Sequence, residues 1–258
     1  MKKIFKKLFS KKKSCKNLNK IIKVGLDNIV EYGKNISLSA SINGNNNIIQ
    51  IESGSNYGFI FNYNIAIHGN NNKILIKSPY NVRNMTIIIG NHGEINNCEI
   101  VVDELTSMGD VTVCCFQHNS KLSIGKNCTF SKGIQIRTGE YPHLIFDKYT
   151  GEYLDTNSNI VIGNHVWIGE NCTLLKNSSI ASDNIVGCCS VITKKFNESN
   201  TVIAGNPASI RKRNIDFVRN ELFLEKESLY YNSFQKFRTK YGGGYQGNEL
   251  SVLKNDLI

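Results

Sequence analysis

The sequence lacks any run of about 20 consecutive apolar residues, the length that a membrane-spanning helix requires. Its N-terminus also lacks the apolar stretch of a secretory signal peptide. These two absences favour a cytoplasmic protein. Apolar content is nevertheless that of a globular chain, and 258 residues are enough to bury a core without metals or disulfides.

Cysteine motifs are missing although eight cysteines are present. No C-x-x-C occurs, so the spacing indicates neither a zinc site nor a disulfide scaffold, and we expect reduced thiols and no metal. Cys128 and Cys172 both occur in the string IG-x-NCT. That position is expected to need a small inward-facing residue, so we predict that both thiols are packed inside the protein.

Acidic residues are absent from the first 23 positions, which contain ten lysines. The rest of the chain has 21 basic and 21 acidic residues, so its neutral body indicates no face for nucleic acid. In residues 1–24, the string MKKIFKKLFSKKK places Ile4, Phe5, Leu8 and Phe9 on one helical face. This pattern is typical of a helix on an anionic membrane and fits a solvated tail equally well.

A six-residue repeat dominates the region from residue 160 to residue 195. Its aliphatic positions are Ile162, Ile168, Leu174, Ile180, Val186 and Ile192. This period belongs to neither a helix nor an alternating strand. It predicts an all-β solenoid, a triangular coil in which each hexapeptide forms a strand and a corner, with the aliphatic residue inside.

The narrow interior of such a coil is also expected to hold small residues four positions further on. These residues are Val166, Cys172, Ser178 and Ser190. Asn184 breaks the series, which indicates either a corner or a coil with a polar interior.

The repeat also divides the chain into segments. The same register appears between Ile124 and Ile136 and is then interrupted by residues 138–159, which we predict to be an insertion loop. In repeat folds such a loop often carries the binding site. Looser coils upstream extend the solenoid domain over residues 25–213. Residues 214–258 change to helical spacing and predict an amphipathic C-terminal helix or helix pair with a tail.

The strings NIVIGNHVWIGENCTLL, VITKKF and VIAGNPAS, between positions 159 and 209, resemble the hexapeptide-repeat acyltransferases. Within that family they resemble the cytosolic O-acetyltransferases that decorate bacterial capsular and lipo-oligosaccharide sugars, including sialic acids. The resemblance implies a left-handed parallel β-helix and a homotrimer with active sites between neighbouring prisms. It also implies transfer of an acetyl group from acetyl-CoA to a sugar hydroxyl.

The resemblance further implies a catalytic histidine in the insertion loop. The family's motif of a histidine and an aspartate ahead of TGE is matched by His143, Asp147 and Thr150–Glu152. A histidine suits this reaction because the thioester is already activated and only the hydroxyl must lose a proton. Pro142 directly before the histidine is a departure from the motif. It leaves open whether Glu140, Asp147 or a backbone carbonyl orients the ring.

Without the resemblance, each of the five histidines is more simply explained as structural. His68 and His92 lie beside glycines, His118 precedes a coil, and His165 lies within a repeat. The spacing of His118, His143 and His165 does not resemble the three-histidine zinc site of a γ-type carbonic anhydrase. The residues also allow an N-acetyltransferase of an amino sugar or a non-catalytic scaffold.

For the acetyl donor, the resemblance implies that Trp167 in the string VWIG lines the cleft near the thioester. The residues alone also allow a stacked aromatic ring on the prism surface. The residues expected along the pantetheine arm of coenzyme A are Gly205, Asn206, Pro207 and Ala208. The basic candidates near its phosphates are Lys194, Lys195, Arg211 and Arg213. Each of these four side chains could equally be a solvated surface charge.

Overall fold

A computed structural model of the chain describes residues 19–55, 60–154 and 158–241. The strands, in chain order, are β1 (Lys20–Val24), β2 (Ile29–Tyr32), β3 (Ile36–Asn43), β4 (Ile48–Ile51), β5 (Phe61–His68), β6 (Lys73–Ile76), β7 (Asn81–Val82), β8 (Met85–Ile89), β9 (Glu99–Val102), β10 (Ser107–Met108), β11 (Val111–Cys115), β12 (Lys121–Ile124), β13 (Thr129–Phe130), β14 (Ile134–Arg137), β15 (Ile160–Ile162), β16 (Trp167–Ile168), β17 (Thr173–Leu174), β18 (Ser179–Ile180), β19 (Ile185–Val186), β20 (Val191–Ile192), β21 (Lys195–Phe196), β22 (Thr201–Gly205) and β23 (Ala208–Arg213). A 3₁₀ helix (Glu221–Phe223) and helix α1 (Leu229–Tyr241) follow.

The strands stack into three sheets that form the sides of a prism. Sheet 1 has the order β1-β3-β5-β8-β11-β14-β17-β20, and sheet 2 the order β2-β4-β6-β9-β12-β15-β18-β21. Sheet 3 has the order β7-β10-β13-β16-β19-β22-β23. From β7 to β22, consecutive strands lie in sheets 3, 1 and 2 in turn. The sheets are parallel except for the antiparallel pair β22 and β23, so the predicted solenoid is confirmed.

Aliphatic side chains at the six-residue interval fill the prism. All six members of the series from Ile162 to Ile192 are at most 2% exposed. Ile124 and Ile136, on the other side of the insertion, are buried as well. Inward residues lie above their counterparts on the next coil, as Leu174 does above Ile136. Burial is therefore continuous along the axis, and each coil is stabilised by its neighbours.

The second inward position takes small residues, as predicted. Val166, Cys172, Ser178 and Ser190 are all buried. The Cys128 Sγ donates to the Gly163 carbonyl at 3.2 Å, and the Cys172 Sγ donates to the Gly187 carbonyl at 3.1 Å. Both thiols are fully buried, which confirms their predicted packing role.

Asn184 departs from the small-residue series because its coil has a polar interior. The buried amide nitrogen donates to the carbonyls of Ala181 at 3.0 Å and Glu198 at 2.8 Å. The amide oxygen accepts from the backbone N–H of Thr201 at 2.7 Å and from its hydroxyl at 2.8 Å. The side chain is therefore fully hydrogen-bonded, which offsets the cost of removing it from water.

Asparagine ladders hold the looser upstream coils together. Asn47 and Asn72 are fully buried at equivalent corners of successive coils. The backbone N–H and the side-chain amide of Asn72 both donate to Asn47 Oδ1 at 3.0 Å. Asn72 Oδ1 in turn accepts the backbone N–H of Cys98 at 2.9 Å. Polar stacking replaces aliphatic packing at this corner, so the hydrophobic repeat is weaker there.

The C-terminal segment contains less helix than its spacing predicts. It forms a second compact unit that begins at Asp216, and its one described α-helix begins only at Leu229. The Ser228 hydroxyl caps that helix by accepting the backbone N–H of Tyr231 at 3.1 Å. Upstream, Asp216 Oδ1 accepts the N–H of Phe217 at 2.7 Å, a local bond that competes with helix formation. The predicted C-terminal α-helical segment is confirmed, and its helix begins at Leu229 and not at residue 214.

The solenoid begins before its predicted boundary at Gly25. Strand β1 starts at Lys20 and pairs with β3 along its whole length. The predicted membrane-binding helix lies in residues 1–18, outside the described part of the chain. No helix within the described ranges is long and apolar enough to cross a membrane.

Candidate active site

The insertion between β14 and β15 leaves the prism on the edge between sheets 1 and 2. Its outer part turns back on itself as a hairpin. The Asp147 N–H donates to the Glu152 carbonyl at 2.8 Å. Phe146 and Tyr153 form an antiparallel bridge, and their ring centroids are 5.5 Å apart. The insertion therefore has a defined shape of its own.

Asp147 caps the turn of this hairpin. Its Oδ1 accepts the N–H of Tyr149 at 2.9 Å, the N–H of Thr150 at 2.7 Å and the Thr150 hydroxyl at 3.1 Å. These hydrogen bonds, from Thr150 first and then Tyr149, hold the pKa of the Asp147 carboxyl below its ordinary value. The aspartate and threonine of the sequence motif thus shape the loop.

His143 lies at the base of the hairpin with an exposed ring. Its backbone N–H donates to the Glu140 carbonyl at 3.0 Å, and the ring has no hydrogen-bond partner among the described residues. The Glu140 carboxylate lies 3.7 Å from the Arg137 guanidinium. Glu140 and Asp147 are the two carboxylates that the sequence suggested as partners of the His143 ring. Neither forms a hydrogen bond with that ring among the described residues. A free, accessible imidazole nitrogen can accept a proton from a bound hydroxyl.

Two other histidines are held in structural hydrogen bonds. His165 occupies the corner before β16 with a φ of 52°, and its Nδ1 lies 3.0 Å from Asp183 Oδ1. His118 Nδ1 accepts the backbone N–H of Asn96 at 3.0 Å. Within the described residues, no group of three or more His, Cys, Asp or Glu side chains is arranged to hold a metal ion.

Trp167 lies on the outer face of sheet 3. Strand β16 points Ile168 inward and Trp167 outward, and the indole is 40% exposed. Its strand neighbours in register are Thr129 on one side and Ile185 on the other. The ring is therefore available to a ligand that runs along this face of the prism.

His143 and Trp167 belong to opposite sides of one prism. The loop of His143 is rooted on the edge between sheets 1 and 2, whereas Trp167 lies on sheet 3. In a three-sided prism, the edge between two sides faces away from the third. One chain therefore roots the two predicted catalytic residues on different sides of the solenoid.

The last hairpin of the solenoid brings together one group of the residues that were predicted to bind coenzyme A. Its turn, residues 206–207, joins β22 to β23. The Gly205 N–H donates to Ser190 Oγ at 3.1 Å, and Arg211 Nε donates to the Ala204 carbonyl at 3.1 Å. A side chain at Gly205 would place its Cβ 2.9 Å from the Arg211 guanidinium, and the φ of 109° also favours glycine. The residues gathered here are Gly205, Asn206, Pro207, Ala208 and Arg211.

The other basic candidates lie apart from this turn. The turn is on the edge between sheets 3 and 1, whereas Lys194 is on the edge between sheets 1 and 2. The Lys194 Nζ lies 5.5 Å from the ring centroid of Phe196, and Lys195 is exposed on sheet 2. Arg213 Nε donates to Glu198 Oε1 at 2.8 Å, so a carboxylate offsets its charge. Lys194 shares the edge of the His143 loop.

Two features beside the turn were not expected from the sequence. The Ser190 hydroxyl donates to the Gly187 carbonyl at 2.6 Å and accepts the Gly205 N–H, so it ties two coils together. Cys188 and Cys189 lie on the same edge and are the exposed cysteines of the described part of the chain. Their adjacency was visible in the sequence, but no spacing rule separates an exposed corner thiol from a buried one.

Comparison with known proteins identifies the repeat. The family model described as bacterial transferase hexapeptide (six repeats) matches residues 159–194. A probable macrolide acetyltransferase of Lysinibacillus sphaericus is 32% identical over 123 residues, covering 42% of this chain and 68% of that protein. The chain belongs to the hexapeptide-repeat acyltransferases. The family expected from the sequence motifs is confirmed.

The chain is also similar to polysialic acid O-acetyltransferases. It is 35% identical over 95 residues to the polysialic acid O-acetyltransferase of Neisseria meningitidis, covering 37% of this chain. The chain spans 42% of the length of that relative. The crystal structure of the polysialic-acid-specific acetyltransferase NeuO superposes with a TM-score of 0.68 at 24% identity, covering 84% of this chain and 97% of that one. This likeness confirms the left-handed parallel β-helix.

Proposed function

We propose that this acyltransferase moves an acetyl group from acetyl-CoA to a hydroxyl of a bacterial surface-glycan sugar, with sialic acid as the first candidate. The similarity to a polysialic acid O-acetyltransferase supports this acceptor class. The observation that carries the proposal is the free, exposed ring of His143 on the insertion loop. We also propose that the reaction takes place in the cytoplasm.

His143 acts as the general base in this proposal. The acceptor oxygen attacks the thioester carbonyl carbon while an imidazole nitrogen takes the hydroxyl proton. The tetrahedral intermediate then collapses, the carbon–sulfur bond breaks, and the coenzyme A thiolate leaves and recovers the proton from the imidazolium. A positioned base of this kind contributes about 10²- to 10⁴-fold to the rate. The mechanism needs no protein nucleophile, because the thioester is already activated.

The active site is proposed to form between two copies of the chain in a homotrimer. One prism roots His143 and Trp167 on opposite sides, so a second prism is required to bring them together. We propose that, in this trimer, the edge between sheets 1 and 2 of one copy faces sheet 3 of the next. The base then comes from one subunit and the tryptophan from its neighbour.

The donor is proposed to bind beside the last hairpin. Residues 205–208 offer a tight backbone turn for the pantetheine arm, and Arg211 crosses that turn with its guanidinium exposed for a phosphate. Lys194, on the loop edge, reaches the same site from the neighbouring copy. Arg213 is a weaker candidate for binding the phosphates than Arg211 or Lys194, because Glu198 already forms an ion pair with it. Trp167 lies on the sheet that leads to the turn.

The proposal is tested by incubating the protein with acetyl-CoA and a panel of sialylated, neutral and amino-sugar glycans. We expect release of free coenzyme A thiol together with a product carrying a base-labile acetyl ester. A base-stable amide on an amino sugar would establish an N-acetyltransferase instead. If the protein folds and assembles but neither hydrolyses nor transfers the thioester, a non-catalytic scaffold replaces the proposal.

A further inference from the structure

The first coil of the solenoid exposes a cluster of large apolar side chains, here called the apolar end. Its members are Ile22, Val24, Leu26, Ile29 and Tyr32, each at least 39% exposed. Strands β1 and β2 are the outermost strands of sheets 1 and 2. Within the described residues, each of them pairs on one side only, with β3 or β4. In register with β3 and β4, Ile22, Val24 and Ile29 point to the outer faces of sheets 1 and 2, and Leu26 lies on the corner between these two sheets.

The corner that carries Leu26 is held rigidly against the second coil. The Leu26 N–H donates to Asn45 Oδ1 at 2.8 Å, and its carbonyl accepts the Asn46 N–H at 3.0 Å. Gly25 has a φ of 113°, and a Cβ there would lie 2.1 Å from the Gly44 carbonyl oxygen. The corner cannot turn over to bury Leu26 without breaking these contacts, so the 73% exposed side chain is a fixed projection.

The apolar end begins within the basic part of the chain and extends past it to Asp27 and Glu31, the two acidic residues of the first coil. Residues 1–23 contain ten lysines and no acidic residue, and Lys20 and Lys23 lie in β1 itself. Aliphatic side chains flanked by lysines match the interface of an anionic bilayer, where the aliphatic groups enter the acyl boundary and the ammonium groups meet phosphates. A tyrosine such as Tyr32 suits the headgroup level.

We infer that the apolar end is a docking surface for an anionic phospholipid bilayer. A second copy stacked on the open strands is disfavoured, because it would bring two lysine-rich segments of like charge together. The inference adds the folded first coil to the lysine-rich arm as part of the contact. It does not depend on the acyltransferase reaction.

The test uses full-length protein and sedimentation with vesicles of phosphatidylglycerol and phosphatidylcholine at low salt. Wild type is expected to sediment with these vesicles and to stay in solution with phosphatidylcholine alone. Leu26→Ser should weaken partitioning by about tenfold, as expected when one exposed leucine no longer enters the interface. Leu229→Ser is the matched control, since Leu229 is 84% exposed in the C-terminal unit; its partitioning should equal that of wild type.

Three outcomes would overturn the inference. Wild type could fail to sediment with the anionic vesicles. Leu26→Ser could bind as tightly as wild type, which would leave the lysines alone responsible. Finally, sedimentation velocity without lipid could show concentration-dependent association that Leu26→Ser abolishes, which would make a second copy the occupant of the apolar end. Circular dichroism of both variants verifies that the fold is retained.

Discussion

His143→Ala and His165→Ala should separate catalysis from folding. The His143 ring is exposed and has no hydrogen-bond partner within the described residues, so its removal should change the free energy of unfolding by less than about 0.5 kcal/mol. Turnover should nevertheless fall by at least about 10²-fold, because a general base is lost. Affinity for acetyl-CoA should not change, since the donor binds through other residues.

His165→Ala should give the opposite result. The His165 side chain is 26% exposed and its Nδ1 lies 3.0 Å from Asp183 Oδ1. Its φ of 52° also suits histidine better than alanine. After discounting the half-exposed carboxylate for solvent screening, the loss is about 1–2 kcal/mol. For a domain of this size, that corresponds to a fall in Tm of about 2–8 °C. Turnover at a temperature where both proteins are folded should fall less than about tenfold.

The assay is coenzyme A thiol release with a responsive acceptor, paired with thermal unfolding at one protein concentration, because oligomer stability depends on concentration. The reasoning fails if His143→Ala keeps turnover within about threefold of wild type, since a general base contributes more than that. It also fails if His143→Ala loses activity together with several degrees of Tm, because the ring would then be a structural element.

Three further predictions concern the donor site and the loop. If Trp167 lines the donor cleft, coenzyme A should change the intrinsic fluorescence saturably, and no change at concentrations that support turnover would place the indole elsewhere. Coenzyme A should also protect Cys188 and Cys189 from iodoacetamide, and equal labelling with and without it would place the donor away from the turn. Asp147→Asn should keep most activity while Asp147→Ala lowers it, because an amide oxygen still caps the turn; equal losses would indicate that the carboxylate charge orients His143.

The six-residue repeat explains why so much of the fold was predictable. Each hexapeptide repeats one strand and one corner, so the register alone identifies the inward residues from Ile162 to Ile192. The insertion was bounded by the same logic, since the register stops after Ile136 and resumes at Ile162. Helical spacing after residue 214 was a weaker signal, because local hydrogen bonds such as that of Asp216 decide whether a helix starts there.

The site was less predictable than the fold because its residues lie on the edges between sheets. The six-residue repeat fixes only which residues face inward. His143 was found through a family motif, but nothing in the motif shows that Asp147 caps the turn and leaves the ring free. The sequence could have shown that Lys194 and the turn at residues 206–207 lie apart. These positions lie two hexapeptides apart, which places them on different edges of a three-sided coil. The use of Ser190 as a bridge between coils had no sequence signal.

The two ends of the solenoid differ in how their outermost strands are covered. An outermost strand leaves a row of backbone donors and acceptors that invites pairing with another chain. At the C-terminal end, β23 turns back and pairs antiparallel with β22, and the ion pair of Arg213 with Glu198 fastens it. At the N-terminal end, β1 and β2 have no such returning strand in the described residues, and their exposed side chains include the aliphatic Ile22, Val24 and Ile29. The ten lysines of residues 1–23, two of which lie in β1, oppose self-association through like-charge repulsion while they favour an anionic partner. The same charges that protect the open end from other copies therefore direct it toward a lipid surface.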